Sequence, residues 1–357
     1  MKYTVPSRLG GVTPPNGLDT LQDLGRGYKA YKAVTVALDL GLFDWLEEKK
    51  RAHKEDFVQG LGINGALCRS FLHTLEELGF LLKEEENFFR NSPRASELFV
   101  RSSPAYQGDW FTAWGSPESR WSSLGETLQL QEPVLREFSS GPGESFIRSL
   151  GQRLLQGELQ EIVRVVTSWE HFSEARSVLD LGGGHGLLGM ALCQENPEMN
   201  MVLFDKPHVV PYAQPYIEGA GLENRVVLRG GDAMTEDLEG PFDIILVSHV
   251  LYKFRKELPL FFERLGKALV PGGLFVSNHW FCNPGCAPGK GLQDLEQGLH
   301  SFGHPLCHVE DFPRLLEQAG LMPLGEAVPV SGSFGTSLLH RACRKGTFEI
   351  VREGEKI

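Results

Sequence analysis

Ser177-Val178-Leu179-Asp180-Leu181-Gly182-Gly183-Gly184-His185-Gly186 is a short apolar run closed by an acidic residue and a glycine cluster. Leu187 to Gln194 follows with the composition of a helix. The expected structure is a buried strand, a tight turn and a helix start. Glycines at such a turn let a ligand approach the backbone where a Cβ would clash. Their spacing is not the G-x-G-x-x-G of a dinucleotide site, and the chain has no G-x-x-x-x-G-K-[ST] phosphate loop. The turn points to a nucleoside rather than a pyrophosphate.

From residue 176 onward the pattern alternates between strands and helices, the mark of a parallel sheet covered on both faces. The predicted strands are Ser177–Leu181, Met201–Asp205, Val226–Gly230, Phe242–Ser248 and Leu274–Trp280. The predicted helices are Leu187–Glu195, Val209–Gly219, Leu258–Leu269 and Val309–Gly320, and Leu324 to Cys343 reads as two strands joined near Gly332-Ser333-Phe334-Gly335. Ligands of open parallel sheets bind at the carboxyl ends of the strands. Three carboxylates fall there: Asp180, Asp205 and, in Gly230-Gly231-Asp232-Ala233-Met234, Asp232. A single aspartate at such a place usually caps a turn. Three in register suggest recognition instead, with Asp205 accepting two ribose hydroxyls. Asp232 then faces an adenine amino group, and Met234 lies against the ring.

The N-terminal part reads differently. Residues 1–17 form a Gly- and Pro-rich arm, and 18–49 carry one broad apolar face from Leu21 to Leu42, with Gly41 breaking the pattern. Helices over Lys54–Leu61 and Gly65–Leu78, then a strand at Gly79–Lys83, a polar turn and a strand at Phe88–Asn91, outline a winged helix over 18–104. Its second helix holds one Arg and two Glu, too few cations for a groove reader. A helical connector over 105–172 contains Trp110, Phe111, Trp114 and Trp121, suited to core packing or to one wall of a pocket for a flat substrate. The second domain spans 173–345 and a tail 346–357.

The 357 residues, 41% hydrophobic and 23% charged, describe a soluble globular chain, and a net charge of −11 argues against a nucleic-acid partner. No apolar run approaches the roughly 20 residues of a membrane span. Without a signal-peptide core, a cytoplasmic location and reduced thiols for the six cysteines are expected.

Leu179 to Gly186, Phe204-Asp205-Lys206-Pro207, Gly231-Asp232-Ala233-Met234 and Pro271-Gly272-Gly273 together resemble the S-adenosylmethionine-dependent small-molecule O-methyltransferases of the acetylserotonin, hydroxyneurosporene and caffeate type. The resemblance covers about residues 20–343. It implies an α/β fold, with a Rossmann-like class I methyltransferase domain preceded by a helical winged-helix dimerisation domain, and a homodimer. It implies S-adenosylmethionine held by Asp180, Gly182, Gly183, Gly184, Asp205, Lys206, Asp232, Ala233 and Met234, with Ser248 and His249 beside it.

One departure bears on chemistry. Where the family has Val-Leu-His-Asp-Trp, this chain has Val250-Leu251-Tyr252-Lys253-Phe254. Tyr252 takes the place of the base, and a phenol of pKa about 10 is a poor base at neutral pH. His249, His279 and His300 are the replacements within reach of the strand ends. Cys282, Cys286, His300 and His304 loosely fit metal-ligand spacing, and His249 with His300 forms a second candidate pair. Trp110, Phe111, Trp114, Trp280 and Phe302 are the candidate lining of a pocket for a flat acceptor. The expected function is methylation of a small aromatic or heteroaromatic hydroxylated metabolite. The alternatives are C-, N- or S-methylation of an activated acceptor such as a 2-oxo acid, with or without metal, and a cofactor-binding homologue without turnover.

Overall fold

The structure is a computed structural model that describes residues 8, 11–117, 119–129, 142–287 and 289–348. Most of the expected arm and tail lies outside the described residues. The chain forms two compact units that divide between Thr112 and Ala113. The connector drawn over 105–172 is therefore not a separate piece, because its first residues belong to the first unit and the rest to the second.

In the first unit, α1 (Leu18–Asp39) and α2 (Leu42–Lys49) are separated at Gly41, which adopts a left-handed φ of 64°. β1 (Ala52–His53), α3 (Lys54–Leu61), α4 (Gly65–Glu77), β2 (Leu81–Lys83) and β3 (Phe88–Asn91) complete the winged helix, its strands antiparallel in the order β1-β3-β2. Helix α5 (Pro93–Phe99), absent from the sequence reading, starts where the Ser92 side chain accepts from Ala95 N–H and Pro93 fills the first turn. Phe43, Phe57, Phe89, Leu72 and Leu75 close the core. On α1 the expected apolar face is half used: Val34, Ala37 and Leu38 are buried, while Leu21, Leu24 and Tyr28 are 65–68% exposed. The last helix, α6 (Gly108–Ala113), puts Phe111 against Tyr31 and Phe99.

The second unit begins with α7 (Leu124–Gln129), α8 (Glu144–Leu154) and α9 (Glu158–Thr167). The sheet follows as β4 (Ser177–Leu181), β5 (Asn200–Asp205), β6 (Val226–Gly230), β7 (Phe242–Ser248), β8 (Leu269–His279), β9 (Leu321–Pro323), β10 (Val328–Gly332) and β11 (Gly335–Arg344). Its order is β10-β11-β8-β7-β4-β5-β6, with β9 beside β11. Strands β4 to β8 are parallel, and β9 and β10 flank β11 antiparallel. β4 has β5 on one side and β7 on the other, because the chain runs outward from β4 to β6 and then crosses back to β7. That switch point lies at the glycine turn.

The helices between strands are α10 (Leu187–Glu195), α11 (Gln214–Ala220), α12 (Leu258–Ala268), α13 (Gly291–His300) and α14 (Phe312–Gln318). Two are shorter than expected because of proline. Pro211 and Pro215 split the segment after β5 into a 3-10 turn and α11, and Pro313 fixes the start of α14. Strand β8 starts five residues earlier than expected, running through Pro271-Gly272-Gly273. Leu179, Ile244, Ile245, Leu274 and Phe275 have no exposed surface, each such side chain contributing about 1.5–3 kcal/mol by leaving water.

Candidate active site

The turn after β4 places Gly182, Gly184 and Gly186 at φ of 69°, 56° and 74°, the left-handed region where a Cβ is unfavourable. At Gly183 the constraint is space, since a Cβ would stand 2.5 Å from the Asp180 carboxyl carbon. Asp180 is buried, and its Oδ2 accepts from Gly189 N–H at 3.1 Å. Burial lifts its pKa to about 7 despite that bond. Asp180 thus braces the turn from beneath and ties it to α10, a different place from the ligand-facing one expected.

Asp205 stands at a strand end, as expected. It is half-buried at the end of β5, where Oδ2 accepts from Gly184 N–H at 2.9 Å and Oδ1 from Lys206 N–H at 2.7 Å. Those bonds fix the carboxylate and leave each oxygen a second lone pair for a hydroxyl. Burial raises its pKa, against the two N–H donors. Asp232 binds Lys206 Nζ at 2.8 Å and Met234 N–H at 2.9 Å, and the Lys206 bond holds its carboxyl below the usual range. Ala233 and Met234 are half-buried against the cluster of Leu179, Phe204 and Ile245. Ser248 ends β7 opposite Asn278 of β8.

Next to it, His249 has a φ of 53° and donates its backbone N–H to Asn278 O at 2.9 Å. This bend turns its imidazole away from the strand direction. Nε2 lies 3.0 Å from Glu158 Oε1, and Nδ1 lies 2.9 Å from the Tyr252 hydroxyl. Glu158 is the first residue of α9 and is only 1% exposed. It also accepts from Arg153 Nη1 at 2.8 Å and from Asn278 Nδ2 at 2.9 Å. Burial alone would raise its pKa, but the charges of Arg153 and His249 hold it at about 2, and the N-terminus of α9 adds to that. Burial lowers the His249 pKa, partly offset by Glu158. The shift favours the neutral imidazole. Because the ionised Glu158 can only accept, Nε2 carries the proton and Nδ1 is the lone-pair nitrogen.

Tyr252 lies within the base position of the family pattern without the capacity to be one. Burial pushes its phenol well above 10, and the hydroxyl oxygen accepts Trp280 N–H at 2.7 Å. Its proton therefore points at His249 Nδ1. The Trp280 ring closes the group, 4.3 Å from His249 and stacked on Tyr252 at 5.8 Å.

The other two histidines differ. His279 is 0% exposed; Nε2 accepts from Val250 and Leu251 N–H at 3.2 and 3.1 Å, and Nδ1 meets Ser277 Oγ at 2.9 Å. Nε2 is used to fix the 250–251 turn and Nδ1 is bonded to Ser277, so neither nitrogen of His279 is open to act as a base. His300 is half-buried, bonded through Nε2 to Glu296 at 3.0 Å and stacked on Phe334 at 4.4 Å. Cys282 Sγ lies 3.5 Å from His304 Nε2, and no cluster of three ligating side chains occurs among the described residues. The Cys286 side chain lies outside them. His249 and His300 each hold a glutamate instead.

Of the expected pocket residues, Trp280 and Phe302 share an apolar cluster with Tyr252, and Trp114 is exposed. Phe111 packs into the core of the first unit, and Trp110 precedes it on α6. Glu158, Arg153 and Asn278 were missed. An acidic residue after Gly157 reads as an ordinary helix start, and nothing local marks it as the partner of a histidine 91 residues away.

Two family models match: an O-methyltransferase dimerisation domain over residues 22–102 and an O-methyltransferase domain over 143–285. The tetracenomycin polyketide synthesis 8-O-methyl transferase TcmO of Streptomyces glaucescens is 28% identical, over 71% of this chain and 76% of its own. The N,N-dimethyltransferase OxyT of Streptomyces rimosus is also 28% identical, over 84% and 90%. An O-methyltransferase family protein from Burkholderia thailandensis shares the fold with a TM-score of 0.76, at 20% identity over 93% of this chain and 99% of that one.

Proposed function

Since the chain belongs to the O-methyltransferase family that joins a dimerisation domain to a methyltransferase domain, we propose that it methylates a hydroxyl of a small aromatic acceptor, with His249 as the base. S-adenosylmethionine, when bound, supplies an electrophilic methyl carbon on a sulfonium. The residues present fit that cofactor. Gly182 to Gly184 leave backbone uncovered, Asp205 is fixed with free lone pairs, and Lys206, Asp232 and Met234 form the adjoining polar and apolar edge.

Transfer of the methyl from sulfur to the acceptor oxygen, leaving a neutral thioether, would require that oxygen to give up one proton. The proton passes to His249 Nδ1 through the Tyr252 hydroxyl, which takes one proton and gives up another without ionising. The resulting imidazolium meets Glu158, already ionised and desolvated, and a charge pair in such surroundings is stronger than in water. Arg153 and Asn278 keep that carboxylate in place. The His249–Glu158 contact carries this reading, because it gives a histidine outside the usual motif both orientation and a counter-charge. Exposed apolar residues on α1 support operation as a homodimer, and buried free cysteines suit a cytoplasmic setting.

The test combines calorimetry with S-adenosylhomocysteine and mass spectrometry of hydroxylated aromatics incubated with S-adenosylmethionine. Binding and the gain of one methyl on oxygen are expected. No affinity for S-adenosylhomocysteine sinks the reading. A nitrogen acceptor carries its own lone pair, so amine turnover that survives loss of His249 would transfer the assignment to N-methylation.

A further inference from the structure

Arg120 has no hydrogen bond or ion pair among the described residues, although its guanidinium is half-buried and lies over the Phe302 ring at 5.1 Å. Other buried or half-buried arginines of this unit have partners for at least one of their donors. Arg153 holds Glu158, Arg225 holds the carbonyls of Met199 and Asn196, and Arg255 holds the carbonyl of Ser301. Burial draws the Arg120 pKa down, and a cation held partly out of water favours a counter-charge.

Its surroundings are those of the methyl-transfer group. Trp121, the next residue, donates Nε1 to Glu296 Oε2 at 2.6 Å, and Glu296 holds His300. His300 stacks on Phe334, and Phe334 lies 6.2 Å from Trp280. Phe302 packs on the same apolar cluster as Trp280 and Tyr252, with its backbone at a φ of 58°. A bulky residue in that region is unfavourable unless the surroundings impose it. Arg120 is thus an unpaired, half-buried cation over the ring of Phe302, on the cluster that holds Tyr252 and Trp280.

We propose that Arg120 captures a carboxylate on the acceptor, so that the preferred substrates are hydroxylated aromatic acids rather than neutral phenols. This rests on the methyl-transfer reading above. A guanidinium matches a carboxylate through two parallel N–H donors, and Phe302 beneath it excludes water from the pair.

The test uses 3-hydroxybenzoate and 3-hydroxybenzamide as a matched pair, differing in charge and little in shape. Intrinsic tryptophan fluorescence of the S-adenosylhomocysteine-loaded protein reads their Kd, and methylation reads KM and kcat. A charge-assisted pair predicts an acid Kd about tenfold to a hundredfold below that of the amide. In Arg120→Gln the two values should converge, with the loss in KM rather than kcat, and Arg120→Lys should keep part of the preference. S-adenosylhomocysteine affinity should be the same in all three proteins. Equal Kd values in the wild type, or binding of neither compound, overturns the proposal. So does an Arg120→Gln variant that loses S-adenosylhomocysteine affinity while keeping the acid preference, for the cation would then serve the cofactor's own carboxylate. Failure of the wild type to bind S-adenosylhomocysteine would instead reject the underlying methyl-transfer reading.

Discussion

Glu158 Oε1 and His249 Nε2 stand 3.0 Å apart, joining the first residue of α9 to the turn after β7. The bond fixes which nitrogen of the imidazole is free. It also supplies the counter-charge that a proton arriving at the other nitrogen requires.

Removal of the base should be the largest single effect. His249→Ala is expected to lower kcat on a hydroxylated acceptor by about 10²- to 10⁴-fold, the usual contribution of general base catalysis. S-adenosylhomocysteine affinity should fall far less. Unchanged turnover would remove His249 from the mechanism.

Glu158→Gln separates position from charge. Glutamine can still accept from Arg153 or His249 but does not hold a negative charge. The His249 pKa is lowered by burial and partly restored by Glu158, so losing that charge lowers it further. The acid limb of the kcat/KM profile, which should lie below pH 6.5 in the wild type, is expected at still lower pH in the variant. A fall in kcat of roughly 10²-fold is expected alongside, within the range for general base catalysis. An unmoved limb would reduce Glu158 to packing.

Tyr252→Phe removes the hydroxyl between the acceptor and His249 while keeping the ring on Trp280. Turnover should drop about tenfold or more, a contribution at or below the general base range, with little change in cofactor affinity. A variant as active as the wild type would show that the acceptor reaches His249 directly.

Asp180 gives a stability test. Its folded pKa of about 7 lies above the ordinary carboxylate value, so the folded state holds this proton over a range where the unfolded chain has released it. The side chain's contribution is full below about pH 4 and is lost as pH rises to about 7. Asparagine cannot ionise. The melting temperature of Asp180→Asn relative to wild type should therefore be more favourable at pH 8 than at pH 5. A difference independent of pH would show that Asp180 stays ionised in the fold.

The sheet was legible because its signals are local. Val178 and Leu179 lie in an unbroken apolar strand, Gly182 and Gly184 mark positive φ, and β4, β6 and β7 fall on their predicted residues. Asp205 was legible for the same reason, as a strand end seen in one stretch of sequence. What escaped is non-local or set by burial. Asp180 looks equivalent to Asp205 in sequence, but Gly183 and Gly189 fold over it. His279 resembles a base until Ser277 and two backbone amides take its nitrogens. Glu158 comes within reach of His249 only once α9 packs on the sheet, which no window of sequence contains.

Leu21, Leu24 and Tyr28 stand bare on α1. If a second copy covers them, melting is a bimolecular event, and the midpoint should rise with total protein concentration. Heat-denaturation curves taken at one dilution then say nothing about how firmly a single chain is folded. Assays run at nanomolar enzyme and calorimetry run at micromolar protein would sample different species.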